Sequence, residues 1–243
     1  MDNVTAAKIL ISSLDLTSLS HDDTKESITD LCKRAVTKYG NAAAVCIYPE
    51  FIPFALAAAP QGVNIATVVN FPAGGNDIKS VEKEIKKAIK AGADEIDAVL
   101  PYRDLLSGNE ELCRNFLNMC REMTVGKLLK IIIESGELKS TSLIKKATQM
   151  CIDAKVDFVK TSTGKTKVSA TPEAANAILE VIRANGGKTG FKASGGIKTT
   201  EDAKKYLVLA NAILDPAWPT PARFRIGASS VFKDLLKTIE QGF

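Results

Sequence analysis

One histidine, His21, is all that the 243 residues hold. Zinc enzymes normally draw on imidazole ligands, and Ser–His or Cys–His catalysis needs a positioned imidazole. His21 sits in the polar stretch Ser20-His21-Asp22-Asp23-Thr24, which reads as the exposed start of a helix. Metallohydrolase, serine-hydrolase and zinc-aldolase chemistry are therefore not expected. Catalysis has to come from Lys, Asp, Glu, Cys, Tyr or a cofactor. The five cysteines, Cys32, Cys46, Cys113, Cys120 and Cys151, are odd in number and form no C-x-x-C pair. That pattern fits reduced thiols better than a disulfide framework or a zinc site. No block of Lys or Arg stands out, because the net charge of +4 is spread along the chain, so no nucleic-acid partner is expected. The longest uncharged run, residues 51–76, is broken by Pro53, Pro60, Gly62 and Pro72 and cannot span a membrane. The first apolar stretch is too short for a signal peptide. A soluble cytoplasmic protein without a membrane partner is the expectation.

What is present is ordinary globular composition, with 45% hydrophobic and 25% charged residues. A chain this long buries roughly 70–75% of its unfolded surface, enough for one sizeable core in one domain over residues 1–243. Apolar runs of strand length recur with helical patterns between them, at the spacing of β–α units. They lie at residues 43–48, 65–71, 95–100, 128–133, 158–162, 190–193 and 225–228, and Leu14-Asp15-Leu16 supplies an eighth. Several lack alternation, as strands covered on both faces do. Ile78, Val81, Ile85 and Ile89 mark one helical stripe, and Leu143, Ala147, Cys151 and Ala154 another. Thr171-Pro172-Glu173, Thr199-Thr200-Glu201-Asp202 and Ser229-Ser230 read as helix starts. Strict alternation of β and α implies a parallel sheet, and eight units point to an α/β fold, a single (β/α)8 TIM barrel with a short N-terminal helix. An open doubly wound sheet is the alternative. It would normally show a glycine-rich fingerprint after its first strand, and none follows Leu16 or Tyr48.

A barrel carries its active site at the carboxyl ends of its strands. The polar residues there are Asp15, Cys46, Asp97, Lys130, Glu134, Lys160 and Lys192. Lys160 and Lys192 each interrupt an apolar strand, where an ammonium group is costly unless paired. One reading has both lysines salt-bridged or reaching to the rim. The other has a Schiff-base lysine, with a second cation keeping it deprotonated near neutral pH. Ser194-Gly195-Gly196 follows strand seven and Gly227-Ala228-Ser229-Ser230 follows strand eight. These two loops commonly bind phosphate in such barrels, although turn glycines and a capping serine would look the same. Thr163-Gly164-Lys165 can add another cation.

Phe158-Val159-Lys160-Thr161-Ser162-Thr163-Gly164 closely resembles the Schiff-base lysine motif of the deoxyribose-phosphate aldolase family. Asp15-Leu16-Thr17, Val45-Cys46-Ile47-Tyr48-Pro49, Asn70-Phe71-Pro72 and Gly92-Ala93-Asp94-Glu95-Ile96-Asp97 resemble it too, as do Gly136-Glu137-Leu138, Phe191-Lys192-Ala193-Ser194-Gly195-Gly196 and Arg225-Ile226-Gly227-Ala228-Ser229-Ser230. The resemblance implies a TIM-barrel class I aldolase with neither metal nor organic cofactor. It implies reversible cleavage of 2-deoxy-D-ribose 5-phosphate to acetaldehyde and D-glyceraldehyde 3-phosphate, in deoxyribonucleoside catabolism. Position by position, it makes Lys160 the imine-forming residue, Lys192 the cation that lowers its pKa, and Asp97 a partner of Lys192 and a water in proton transfer. Thr163, Gly164, Lys165, Gly195, Gly196, Gly227, Ser229 and Ser230 would surround the phosphate. Asp15 and Thr17 would line the site near the sugar hydroxyls, with Cys46 and Lys130 behind the catalytic group. The partners implied are phosphorylated sugars and aldehydes, and a homodimer is the assembly kept open.

Two departures from the family pattern stand out. Ser194 replaces a small apolar residue before Gly-Gly. Many relatives also carry a longer tail ending in tyrosine, so the C2 proton is expected here to move through Asp97, Lys192 and a water, with Tyr48 or Tyr102 as substitutes. For Cys46 two readings stand: a thiolate activated by nearby lysines and open to attack on enals, or an inert core cysteine. Two other functions stay open, a different Schiff-base barrel aldolase and a non-catalytic barrel holding a ligand such as pyridoxal phosphate on Lys160.

Overall fold

Parallel strands buried on both faces need no alternation, and the strands of this chain are built that way. The computed structural model describes residues 1–242. Its strands are β1 (Leu14–Thr17), β2 (Val36–Thr37), β3 (Gly40–Asn41), β4 (Ala44–Ile47), β5 (Asn64–Val69), β6 (Glu95–Val99), β7 (Leu128–Ile132), β8 (Phe158–Lys160), β9 (Gly190–Ser194) and β10 (Phe224–Ala228). All but β2 and β3 close into a parallel barrel in the order β1-β10-β9-β8-β7-β6-β5-β4. Strand β1 has a parallel partner on each side, β10 and β4, which excludes the open sheet. The fold is a (β/α)8 barrel.

The helices are α1 (Asn3–Ser12), α2 (Lys25–Arg34), α3 (Ile52–Ala58), α4 (Ile78–Ala91), α5 (Tyr102–Leu106), α6 (Glu110–Met123), α7 (Ser135–Leu138), α8 (Thr141–Asp153), α9 (Pro172–Ala184), α10 (Thr200–Ile213) and α11 (Val231–Gln241). Their ends follow capping chemistry. Asp2 accepts from the Thr5 N–H at the start of α1, and Thr171 accepts from the Ala174 N–H at the start of α9, where Pro172 takes the first helical position. Thr199 and Asp202 cap α10 reciprocally. Helix α4 buries Val81, Ile85 and Ala88 and stops at Gly92, whose φ of 108° suits a residue without Cβ. None of the helices described is long and apolar enough to cross a membrane.

Three local expectations shift. Helix α8 buries Ile144, Ala147, Thr148, Met150 and Cys151, while Leu143 is only half-buried, so its inner face is rotated from the stripe ending at Ala154. Strand β8 ends at Lys160, two residues early, because Thr161 and Ser162 turn their carbonyls to the start of α7 and to a side chain at the end of β9: Ser135 N–H donates to the Thr161 carbonyl and Ser194 Oγ to the Ser162 carbonyl. The two-residue ribbon β2–β3 is too short to leave an apolar signature.

Two apolar clusters result. The larger fills the space between barrel wall and helices. The smaller, Ala44, Cys46, Ala66 and Val68, lies inside the barrel on the β4–β5 side. The rest of the interior is charged, and that division positions the site.

Candidate active site

Residues two apart on a strand share a face, and residues paired across a parallel ladder point the same way. On β6 that places Glu95 and Asp97 inside the barrel together. Asp97 pairs with Lys130 on β7, Lys160 on β8 with Lys192 on β9, and Lys192 with Arg225 on β10. Asp97 is the meeting point. Its Oδ1 accepts from Lys130 Nζ at 2.8 Å, and its Oδ2 accepts from both Lys160 Nζ and Lys192 Nζ at 2.7 Å. Asp15 on β1 is the second hub: Oδ2 accepts from Lys192 Nζ and Oδ1 from Arg225 Nη1, both at 2.5 Å, and Lys130 Nζ lies 3.3 Å away. Glu95 is held by Arg225 Nη2 at 3.3 Å and Asn64 Nδ2 at 2.9 Å. Lys130 Nζ stands 2.5 Å from Glu95 Oε2, a charge contact without hydrogen-bond geometry.

Burial and charge act differently on each member. Burial alone would raise the carboxyl pKa of Asp15 and Asp97, but the surrounding lysines outweigh it and hold both well below the usual range. Burial disfavours charge on Lys192 and Lys130 as well. Asp15 and Asp97 outweigh it at both, joined by Glu95 at Lys130, and keep both ammonium groups above the ordinary range. Lys160 goes the other way. Burial lowers its pKa, Asp97 opposes this and Lys192 adds to the lowering. Burial is the larger cause of the lowering, and Lys192 the smaller.

Lys160 is also the member that reaches the cleft. About 250 Å³ opens above it, lined by Thr17, Lys160, Thr163, Gly164, Ser194, Gly195, Gly196, Ile197, Lys198, Gly227, Ala228, Ser229 and Ser230. The loops after β8 and β9 touch there. A Cβ on Gly195, at φ 84°, would come 3.0 Å from the Gly164 Cα and 2.6 Å from the Ser169 side chain. At the start of α11, Ser230 makes no side-chain capping bond. Ser194, the departure before Gly-Gly, spends its hydroxyl on the Ser162 carbonyl at 2.5 Å and so ties these loops together.

Several expected residues stand elsewhere. Asp15 is fully buried beneath the cleft as the counter-ion of Lys192 and Arg225, not on its wall. Lys165 donates to the Leu19 carbonyl at 2.7 Å, bridging the β8 and β1 loops outside the cleft lining. Lys130 is fully buried outside the cleft lining and donates to Asp97. Cys46 is fully buried, and burial with the Asp97 charge pushes its thiol pKa up, so the activated-thiolate reading is corrected to a poorly reactive core thiol. Tyr48 and Tyr102 are not among the cleft residues.

Sequence reading gave no role to Arg225 or Glu95, and placed Glu134 at a strand end without assigning it one. The in-phase spacing of Glu95 with Asp97 and of Arg225 with Gly227 was the available signal. Glu134, fully buried at φ 50°, accepts from Thr163 Oγ1 at 2.5 Å and from Thr166 Oγ1 at 3.3 Å, pinning the loop that carries Thr163 and Gly164. Burial raises its pKa.

The model of the DeoC/LacD family aldolases matches residues 9–230. The deoxyribose phosphate aldolase of Aeropyrum pernix, described as a tetramer, is 25% identical over 100% of this chain and 98% of its own, with a TM-score of 0.79. The aldolase QR15 is 28% identical over 94% of this chain and 96% of its own, with a TM-score of 0.81. A crystal structure from Toxoplasma gondii ME49, provisionally named a deoxyribose-phosphate aldolase, reaches a TM-score of 0.90 at 24% identity, covering 98% and 97% of the two chains, which is a likeness of fold.

Two outcomes follow from the packing. A Cβ on Gly227 would meet Lys192 Cε at 2.9 Å and Ser194 Cβ at 3.0 Å. Gly227→Ala should therefore lower stability by about 1–3 kcal/mol in urea unfolding. An unchanged midpoint would show that Lys192 does not need that space. All five cysteines are buried and free. A thiol reagent at pH 7.5 should leave Cys46 unmodified in the native protein and label it in denaturant, whereas rapid native labelling would show an accessible thiolate.

Proposed function

The chain belongs to the DeoC/LacD aldolase family, and on that premise we propose that it is a class I aldolase, one catalytic domain throughout, that cleaves 2-deoxy-D-ribose 5-phosphate to acetaldehyde and D-glyceraldehyde 3-phosphate. The reaction would serve deoxyribonucleoside breakdown. One observation carries the reading: of the seven charged side chains buried in the barrel, Lys160 is the one that lines the cleft, and it is the lysine whose amine is pushed toward neutrality.

In this reading the neutral Lys160 amine attacks the C1 aldehyde, and loss of water leaves a protonated imine. The C3 hydroxyl gives up its proton and the C2–C3 bond breaks. Its electron pair moves to C2, and the iminium accepts it as a neutral enamine. Glyceraldehyde 3-phosphate departs with C3 as its new aldehyde carbon. Protonation at C2 restores the imine, and hydrolysis releases acetaldehyde and the lysine. Asp97, shared by Lys160 and Lys192 through one oxygen, is placed to pass protons between the two. Its strongly favoured carboxylate form suits it to accept hydrogen bonds from both lysines and to orient them.

The phosphate fits the other end of the cleft. Positive-φ glycines let the chain around Gly164, Gly195 and Gly196 lie close to a ligand, and Ser229 and Ser230 stand at the start of α11, where N–H groups and the helix dipole favour an anion. Lys198, which lines the cleft, is the exposed cation nearest to hand.

Borohydride added with acetaldehyde should fix a two-carbon adduct on Lys160, located by peptide mass analysis. Lys160→Ala should abolish the adduct and cut turnover by several orders of magnitude with the fold intact. An adduct on Lys192 instead would reverse the assignment. Ser230→Asp should raise KM for deoxyribose 5-phosphate by about tenfold or more through charge repulsion, with little change toward unphosphorylated deoxyribose. Equal losses on both substrates would place the phosphate elsewhere.

A further inference from the structure

The charges beneath the cleft do not balance when all are ionised. Four cations, Lys130, Lys160, Lys192 and Arg225, stand among three carboxylates, Asp15, Glu95 and Asp97. Each of the seven side chains is at most 5% exposed. A buried site penalises net charge, so one cation is under pressure to give up its proton. Arg225 cannot do so. Lys130 contacts all three carboxylates and Lys192 contacts two, while Lys160 contacts Asp97 alone. With Lys160 neutral, three cations meet three carboxylates.

We propose that Arg225 and Glu95, at the amino ends of β10 and β6, are positioning residues that hold Lys160 as a neutral amine by setting the charge count of this buried chain. The inference rests on Lys160 as the nucleophile and extends that reading to residues across the barrel from the cleft. Arg225 belongs to the floor: its Nε donates to the Pro221 carbonyl in the loop before β10, and its guanidinium lies over the Phe158 ring. From there the charges run through Asp15 and Lys192, and through Glu95 and Lys130, to Asp97 and Lys160. Around Lys160, β6 presents Asp97, β9 Lys192 and β4 Cys46. Lys130 on β7, Asp15 on β1 and Arg225 on β10 act from further along the chain. Strand β5 turns Ala66 and Val68 inward and adds no charge.

The signs are fixed by counting. Without Arg225, two remaining cations face three carboxylates, and a protonated Lys160 restores neutrality. Without the Glu95 charge, three cations face two carboxylates, and Lys160 is driven further toward the free amine. Removing both restores balance.

The test reads Lys160 directly, without substrate. Protein labelled with ¹³C at lysine Cε is titrated by NMR, and the Lys160 signal is assigned by its loss in Lys160→Met. Arg225→Met should move the Lys160 midpoint up by about one pH unit, Glu95→Gln should move it down by a similar amount, and the double variant should return it close to the wild-type value. The acid limb of kcat/KM should follow the same three directions. Shifts of one sign in both single variants, an unmoved midpoint in folded protein, or a double variant that stays displaced would each overturn the proposal. Should Arg225→Met fail to fold, the near-isosteric Glu95→Gln decides alone: a downward shift supports the charge count, and no shift refutes it. Wild-type protein that fails to cleave deoxyribose 5-phosphate would remove the functional reading while leaving the titrations to stand. Normal cleavage with unmoved midpoints would remove this inference only.

Discussion

Three lysine side chains share one carboxylate. Asp97 draws Lys130, Lys160 and Lys192 from three successive strands onto its two oxygens, with every member buried. Removing one partner from such a buried set typically costs about 3–5 kcal/mol, because the remaining charge is left in a poor dielectric. Much of the barrel interior is shaped around this contact. Gly227 lacks a side chain where Lys192 passes, and the inward residues of β4 and β5 are small and uncharged. Asp15 neutralises the far side of Lys192. Lys160 stands at the top of the cluster, buried yet lining the cleft.

Above that floor the cleft is made mostly of backbone and hydroxyls. Its loops are fixed by interactions outside the space they enclose: Glu134 holds Thr163, Ser194 holds the Ser162 carbonyl, and Lys165 holds the β8 loop to the β1 loop. Fixed charges therefore lie below and adaptable donors above. A phosphorylated aldehyde, reactive at one end and doubly anionic at the other, is polarised along the same axis.

The barrel and the lysines were legible because their signals are local. Eight apolar runs of strand length, several without alternation, declare parallel strands, and Lys160, Lys192 and Asp97 each break such a run. Arg225 and Glu95 sit in equally plain view, but their meaning is relational: only closure between β1 and β10 brings Arg225 to Asp15. The partners of Asp15 were hidden for the same reason, since sequence does not show that both of its oxygens are taken. Cys46 looked reactive beside lysines. The lysines do pull its thiol pKa down, but burial and the Asp97 charge outweigh them. The β2–β3 ribbon holds two residues per strand, too few for any pattern.

Side chains change face with every step along a strand, so the pairing of Lys160 with Lys192 and of Asp97 with Lys130 carries a second meaning. A slip of one residue in β7, β8 or β9 would swing an ammonium group from the carboxylates inside the barrel into the apolar layer beneath the helices. A mis-threaded barrel would then hold an unpaired charge in oil-like surroundings, a state with almost no population. The buried charged residues of the barrel thereby disfavour wrong alignments of strands whose apolar sequences would otherwise tolerate several.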